Sequence, residues 1–330
     1  LSLISSFRGA KDAELIRFGA NSACIEAQAS SEERSRKIKI TIPSSGRRSI
    51  QVNGVRIAKK ADAAGIIRCV LFCPEDLGLI RQSPSGRRRF LDDAISQLKP
   101  NYISYLAEYN RILASKMRIL KDFHENPRLL DTLDDFSTQL CRYGAYLIPY
   151  RESFCEKLSV FASAEHEKIS AGREELGLHY KTVSTIQQPG LSQKEIYELL
   201  WQHYSTHRDA EIASGSCLTG PHKDDLEITI DGLPAKTFAS QGQTRTAVLS
   251  LKLAQRELYA EICGEYPILL FDDVLSELDT LRQEYVLSGT GRGQVFITAC
   301  ESKSCFALDA MIRSNENGAK LFHVKHGCLL

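Results

Sequence analysis

The order of apolar and polar residues changes character along the chain. Residues 14–57 contain short runs in which the two kinds alternate, which is typical of strands with one solvated face. Turn residues separate these runs at positions 43–46 and 53–54. This pattern predicts an antiparallel meander, followed by a buried strand within 66–72. The predicted meander strands are 24–28, 37–42 and 49–52.

The spacing becomes helical from about residue 101 to residue 213, where apolar residues recur at steps of three and four. The first helix is expected to start near residue 101 and to end before Pro127, the second to cover 131–171 and the third 192–213. Ser192 begins the third helix in this prediction, because Glu195 three residues later completes a capping box.

Strands and helices alternate again after residue 217, as they do in α/β domains. The prediction is therefore an α/β domain in two halves, residues 1–95 and 214–330, with an all-helical arm of residues 96–213 inserted between them. The elements predicted in the last part are strands 226–230, 267–271 and 294–298, a helix over 243–263 and a short helix after Asp279.

Composition is that of a globular protein with roughly two domains, at 330 residues, 43% hydrophobic and 25% charged. The net charge of +1 means that binding to nucleic acid would need local basic patches. No apolar run reaches the ~20 residues of a membrane span, so no membrane partner is expected. Ten scattered cysteines without a C-x-x-C pair favour reduced thiols in the cytoplasm.

Two adjacent acids follow the apolar run 268–271, which reads as a strand buried on both faces. Asp272 and Asp273 would stand at the carboxyl end of that strand, where α/β sheets bind their ligands. Such a pair suits Mg²⁺ on nucleotide phosphates: Asp272 would hold the ion through its water, and Asp273 would polarise the attacking water. The alternative is that both acids cap a following helix.

A second candidate site is the turn made by Ser240, Gln241, Gly242 and Gln243. Ser240 is a good N-cap for the next helix, and free amides at a helix start attract an anion. Taken alone, the same residues fit an ordinary capped helix.

Together these two segments resemble the signature motif, the Walker B strand and the D-loop (Ser276 to Asp279) of ABC/SMC-type ATPase heads. Within that superfamily the chain resembles the RecF family of bacterial recombination mediators. The resemblance is carried by residues 74–92, 219–226, 238–243 and 270–287, and extends to 7–8 and 14–19.

The resemblance implies a P-loop NTPase fold with ATP and Mg²⁺ as cofactors. It implies an ATP-dependent homodimer, in which the signature residues Ser240 to Gln243 act in trans on the partner's nucleotide, and Ser276 and Asp279 belong to the D-loop. The family's function is to clamp DNA at single-strand gaps, with RecO, RecR and RecA as partners, in replication, gap repair and the SOS response.

Some positions depart from the family pattern. The chain has no Gly-Lys dipeptide, so the Walker A loop is not in it, and the chain is expected to lack the segment that carries this loop and to have no appreciable ATPase turnover alone. Gln82 stands where the family has Gly, and Lys223 where it has Arg. The run from Thr298 to Glu301 replaces a Thr-rich switch. The competing hypothesis is a non-catalytic module that binds DNA or partners.

Basic residues cluster at two positions in the sequence, and each cluster is a candidate contact for DNA phosphates. The alternative for the first cluster is a helix start whose arginines pair with acids. The first cluster is Arg87, Arg88 and Arg89, and the second is Arg47 and Arg48, with Lys59 and Lys60 nearby. His222 could contact a nucleotide or stabilise its own turn.

Overall fold

The computed structural model describes residues 2, 10–30, 35–288, 292–299, 318–326 and 328–330. The α-helices in these ranges are α1 (Lys60–Ala63), α2 (Pro84–Leu98), α3 (Pro100–Asp122), α4 (Leu133–Ser170), α5 (Gln193–Ser214), α6 (Ala235–Phe238), α7 (Gln241–Cys263) and α8 (Thr280–Ser288). The strands are β1 (Ser22–Ser30), β2 (Ser35–Pro43), β3 (Ser49–Val52), β4 (Val55–Ile57), β5 (Cys69–Phe72), β6 (Leu176–Lys181), β7 (Asp225–Ile230), β8 (Leu233–Pro234), β9 (Ile268–Asp272), β10 (Val295–Thr298), β11 (Val324–Lys325) and β12 (Cys328–Leu329).

The chain divides into two compact units, each built from three segments. The first unit comprises Leu1–Arg68, Ser83–Lys157 and Leu178–Glu227, and the second Cys69–Gln82, Leu158–Gly177 and Ile228–Leu330. These limits do not coincide with those expected near residues 95 and 213, and the three-part division stays a prediction.

One element of the expected arm is corrected. Residues 96–213 are not all helical, because strand β6 lies among them. Leu176 and Leu178 are buried on either side of Gly177, and this short alternation was overlooked between the long helical patterns.

The meander of the first unit is confirmed as an antiparallel sheet in the order β1-β2-β3-β4. Asn53 and Gly54 form the turn between β3 and β4, and both have positive φ angles, 50° and 83°, as type I′ hairpin turns require. One face of the sheet is buried. It presents Ile38, Ile40, Ile42, Ile50 and Val52.

The helices of the first unit follow their predicted limits closely. Ser192 caps α5 as expected: its Oγ accepts from the amide of Glu195 at 3.3 Å, and its own amide donates to Glu195 Oε2 at 2.8 Å. Helix α4 continues through Pro149, as predicted. A buried cluster joins α4, α5 and the segment after β6. Its members are Cys141, Ala145, Ile148, Val183, Ile196, Leu200 and Tyr204.

The second unit contains a parallel sheet in the order β10-β9-β5, with β9 in the centre. Leu269 and Phe271 of β9 are buried, whereas Ile268 and Leu270 on its other face are partly covered. The expectation of burial on both faces is therefore correct for one face only. Helix α7 packs against β5, and its apolar residues from Ala247 to Tyr259 are buried.

Strands β6, β7 and β8 form a further three-stranded sheet in that order. The hairpin turn predicted at Asp231-Gly232 is confirmed, and Ile230 pairs with Leu233 across it. Among the described ranges, no helix combines the length and the apolar character that a bilayer crossing demands.

Candidate functional site

The predicted pair of acids lies at the carboxyl end of the parallel sheet in the second unit. Thr298, the last residue of β10, donates from Oγ1 to Asp272 Oδ1 at 2.9 Å. The amide of Asp273 donates to both the carbonyl oxygen and Oγ1 of Thr298, at 3.2 and 3.1 Å. The short helix that follows (Leu275–Glu277) begins after Val274 and has no side-chain cap, so the two acids do not serve as its caps.

The backbone of Asp273 is unusual. Its φ angle of +53° lies in the left-handed region, which few residues other than glycine adopt, although Asp tolerates it better than most. The Oγ of Ser276 donates to the Asp273 carbonyl oxygen at 3.0 Å and holds this bend. We call Asp272, Asp273 and Thr298 the carboxylate edge. The bond from Ser276 connects the D-loop to this edge.

Ser240 caps helix α7 as predicted. Its Oγ accepts from the amide of Gln243 at 3.2 Å, and its own amide donates to Gln243 Oε1 at 2.8 Å. The next two amides, those of Gln241 and Gly242, have no acceptor in the described part of the chain. The turn therefore presents two N–H groups at the positive end of a 23-residue helix, an arrangement that suits an anion.

The signature turn and the D-loop are joined by an arginine that the sequence analysis did not select. Arg282 Nε donates to Thr246 Oγ1 at 2.9 Å, and its Nη2 approaches the carbonyl oxygen of Gly242 at 3.4 Å. The same side chain forms an ion pair with Asp279, whose Oδ1 also accepts from the Arg282 amide at 3.0 Å.

A second arginine adds to this link. Arg245 of α7 forms an ion pair with Glu277 of the D-loop at 3.0 Å. The acid–arginine spacing from Asp279 to Arg282 was a signal in the sequence for a helix pair, but nothing there indicated the contact with Thr246.

The available ligands fit a magnesium nucleotide rather than a protein-only metal centre. The described residues include no group of three or more His, Cys, Asp or Glu able to hold a metal ion. Asp272, Asp273 and the hydroxyl of Thr298 are hard oxygen ligands, and Mg²⁺ commonly takes one or two carboxylates, with phosphates and water as its other ligands. Of these, Asp272 is the residue that would hold the ion here, through its water. Cys300, at the predicted switch, lies outside the described residues.

The first basic cluster is partly engaged within the fold, and the burial of Arg87 corrects its choice as a DNA contact. Arg87 is 4% exposed and binds Asp225 with two bonds, at 2.7 and 2.8 Å. Arg88 donates to the Asp224 carbonyl oxygen at 2.6 Å, and burial lowers the pKa of its guanidinium. Arg89 is exposed and lies 3.5 Å from Asp93.

The residues of the second basic cluster differ in whether they form ion pairs. Arg48 forms an ion pair with Asp12, whereas Arg47 is exposed in the turn between β2 and β3 and makes no ion pair within the described ranges. Lys59 is exposed as well.

A buried arginine that the sequence analysis missed organises the first unit. Arg151 of α4, 3% exposed, donates to both carboxylate oxygens of Asp92, at 2.9 and 3.0 Å, and to the carbonyl oxygen of Pro221 at 2.7 Å. Its Nη1 also lies 3.6 Å from Asp224. An arginine on an otherwise apolar helix face was the available signal. Arg151 fixes the segment 219–225, one of those that carry the family resemblance.

His222 stabilises its own turn. Its Nε2 lies 3.1 Å from the Cys217 carbonyl oxygen, which can only accept, so Nε2 carries the proton. Nδ1 then accepts from the hydroxyl of Tyr109 at 2.6 Å. The neutral ring satisfies both contacts, and burial lowers the pKa of His222 to about 4.

We expect this histidine to make the folded state less stable in acid. Because its folded pKa lies below the unfolded value near 6.5, the stability it contributes is complete above about pH 6.5 and is lost as the pH falls towards 4. The loss should reach about 3 kcal/mol. Chemical denaturation of the chain and of His222→Gln between pH 7 and pH 4 measures the difference. Identical pH profiles for the two would contradict the assignment.

Comparison with known proteins accords with these motifs. No family model matches the chain. The DNA replication and repair protein RecF of Clostridium novyi (strain NT) is 38% identical over 297 residues, which are 90% of this chain and 80% of that protein. RecF of Clostridium kluyveri is 36% identical over 326 residues, 99% of this chain and 86% of that protein.

Two solved structures, described as the recombination mediator protein RecF with ATPrS and with ATP in the RecFOR pathway, are similar to most of this chain. Each is 34% identical and covers 92% of this chain and 81% of that protein, with TM-scores of 0.86 and 0.83. The predicted α/β fold class is thereby confirmed. The chain belongs to the RecF family of DNA replication and repair proteins.

Proposed function

We propose that this chain acts in an ATP-dependent recombination mediator, which clamps DNA at single-strand gaps and promotes the loading of RecA. The observation that carries the proposal is the arrangement in the second unit. The signature turn presents the N–H groups of Gln241 and Gly242, and Arg245 and Arg282 bind it to the D-loop. The D-loop is in turn hydrogen-bonded to the carboxylate edge through Ser276. Each part has a use in nucleotide chemistry.

Gly242 supports a ligand at the signature turn. A Cβ added there would meet no atom closer than 3.9 Å, and its φ angle is not positive, so the fold itself does not require glycine. Glycine in a helix costs roughly 0.5–1 kcal/mol relative to alanine. A glycine that the chain's own packing does not need, beside unpaired amides, is consistent with close approach by an external anion such as a phosphate.

Two exposed apolar side chains support a homodimer. Phe238, 64% exposed, precedes the signature turn, and Leu281, 76% exposed, follows the D-loop. Isolated apolar residues on a surface are common, but these two flank the motifs that the dimer would bring to a partner. In this proposal the amides of Gln241 and Gly242 bind the phosphate of the partner's nucleotide.

The carboxylates would serve the chain's own nucleotide. Asp272, oriented by Thr298, would hold the ion's water, and Asp273 would orient the attacking water. Bound Mg²⁺ would supply neutralisation of the charge that develops on the phosphate oxygens. Arg245 and Arg282 link the signature turn to the D-loop, and Ser276 links the D-loop to Asp273. Binding of a phosphate at the signature turn would therefore change the position of the carboxylates. Partners of the assembly would be RecO and RecR, in the cytoplasm and within the SOS response.

The test joins a Walker A segment to the chain and measures ATP-dependent binding to gapped and to plain duplex DNA of equal length. We expect ATP to strengthen binding to the gapped substrate about tenfold or more, a change of ~1.4 kcal/mol. Asp273→Asn should prolong binding, because release would need hydrolysis, whereas the exposed Asp131→Asn should not. Equal binding with and without ATP would instead favour the non-catalytic module.

A further inference from the structure

The solvent-facing side of the meander is basic, and this is visible only once the strands are paired. Glu26, Lys39, Gln51 and Arg56 lie directly opposite one another across β1 to β4, on the side away from the buried isoleucines. We call this side the outer sheet face. Its central residues are Cys24, Glu26, Gln28, Lys37, Lys39, Thr41, Ser49, Gln51 and Arg56.

The charges of the outer sheet face are unbalanced. Glu26 is its one acid, and it forms an ion pair with Lys37 at 2.7 Å. The Lys37 hydrogen bond, with a further contribution from Lys39, lowers the pKa of Glu26, so that carboxyl is ionised at neutral pH. Lys39 and Arg56 form no ion pair with any residue that the structure describes.

The composition of the segment agrees with this imbalance. Residues 22–57 contain seven basic and three acidic residues, a net charge of +4, whereas the whole chain carries +1. The same segment contains no Phe, Tyr, Trp or His. The remainder of the chain is therefore net acidic, and the meander is where a polyanion would be attracted.

The side chains of the outer sheet face favour duplex DNA over single-stranded DNA. Lys, Arg, Ser, Thr and Gln are the side chains that contact phosphate and sugar, and none of these contacts reads sequence. Single-stranded DNA is usually held by aromatic side chains on which bases stack, and the outer sheet face has none. Strands of nine residues extend roughly 30 Å, close to one turn of duplex.

We propose that the outer sheet face binds the phosphate backbone of duplex DNA, independently of sequence. The inference rests on the proposed function, since it assigns one surface of this chain to the duplex part of a gapped substrate. It also replaces Arg87 with Lys39 and Arg56 as the residues that meet DNA.

The test measures binding of a fluorescently labelled duplex by the full chain over a range of salt concentrations. Lys39→Gln combined with Arg56→Gln should weaken binding at least tenfold and reduce the salt slope by about 2, or ~0.9 for each lost phosphate contact. Lys194→Gln with Arg111→Gln, which removes the same charge from exposed positions on α5 and α3, should change the affinity less than twofold.

Glu26→Gln provides a second variant whose expected effect is a gain. Removing the one acid of the face should strengthen duplex binding a few-fold, a result that misfolding cannot produce. If the wild-type chain binds duplex and the Lys39/Arg56 pair binds it equally well, the inference is overturned while the proposed function stands. If the pair loses single-strand binding to the same extent, the assignment to duplex is overturned. If the wild-type chain binds no DNA, the proposed function fails as well.

Discussion

Replacing Arg151 with methionine is expected to lower the free energy of unfolding by about 3–5 kcal/mol, the usual loss when one partner of a buried ion pair is removed. Methionine fills much of the same space but removes the charged donor of the Asp92 carboxylate, which keeps its bond from the Tyr102 hydroxyl. The Pro221 carbonyl oxygen would keep the long bond from the Asp224 amide, at 3.4 Å, and lose the one from Arg151. Asp224, 1% exposed, would lose the guanidinium that lies 3.6 Å from its carboxylate.

Arg208→Met is the matched control for this prediction. Arg208 pairs with Asp134 at 3.0 Å, a distance similar to that of the Arg151 pair, but its side chain is 36% exposed. An exposed pair contributes ~0–1 kcal/mol, so this variant should unfold almost as the wild type does. Denaturation followed by circular dichroism compares the two. A loss below 1 kcal/mol for Arg151→Met would mean that the network is dispensable.

In a protein that joins this chain to a Walker A segment, replacing Ser240 with arginine is expected to reduce ATP-dependent retention of gapped DNA by on the order of 100-fold. This is the scale at which the loss of a prearranged anion site acts. In the proposed dimer the long side chain would occupy the space in front of the Gln241 and Gly242 amides, where the partner's phosphate would bind. Binding without ATP should change little, because the substitution alters the proposed phosphate site and none of the basic residues of the meander.

Ser240→Ala separates the two roles of this serine. Alanine removes the cap on Gln243 without adding bulk and should cost about 1 kcal/mol of local helix stability. Dissociation of labelled gapped DNA after ATP addition, measured for both variants and the wild type, gives the comparison. If the arginine variant released DNA no faster than the alanine variant, a phosphate site at this turn would be excluded.

Much of the local structure was predictable because it depends on neighbours in sequence. The Ser192 and Ser240 caps need only a residue three positions ahead, and both capping boxes formed. The meander and the strand ending at Asp272 followed from the alternation of apolar residues and its interruption by turns. Strand β6 was missed because six residues between two long helices carry too little periodic signal.

The sequence by itself determined the family, most of the elements apart from strand β6, and the positions of the signature turn and the carboxylate edge. Only the tertiary structure decided which charged side chains form ion pairs within the protein and which face solvent. Arg87 meets Asp225 across 138 residues. Strand register places Lys39 and Arg56 on one face of the meander, with Gln51 between them. A run of arginines has the same sequence whether an aspartate or a phosphate neutralises it. An arginine is neutralised within the protein when the fold brings a carboxylate within ~4 Å of its guanidinium, and long-range packing sets that distance.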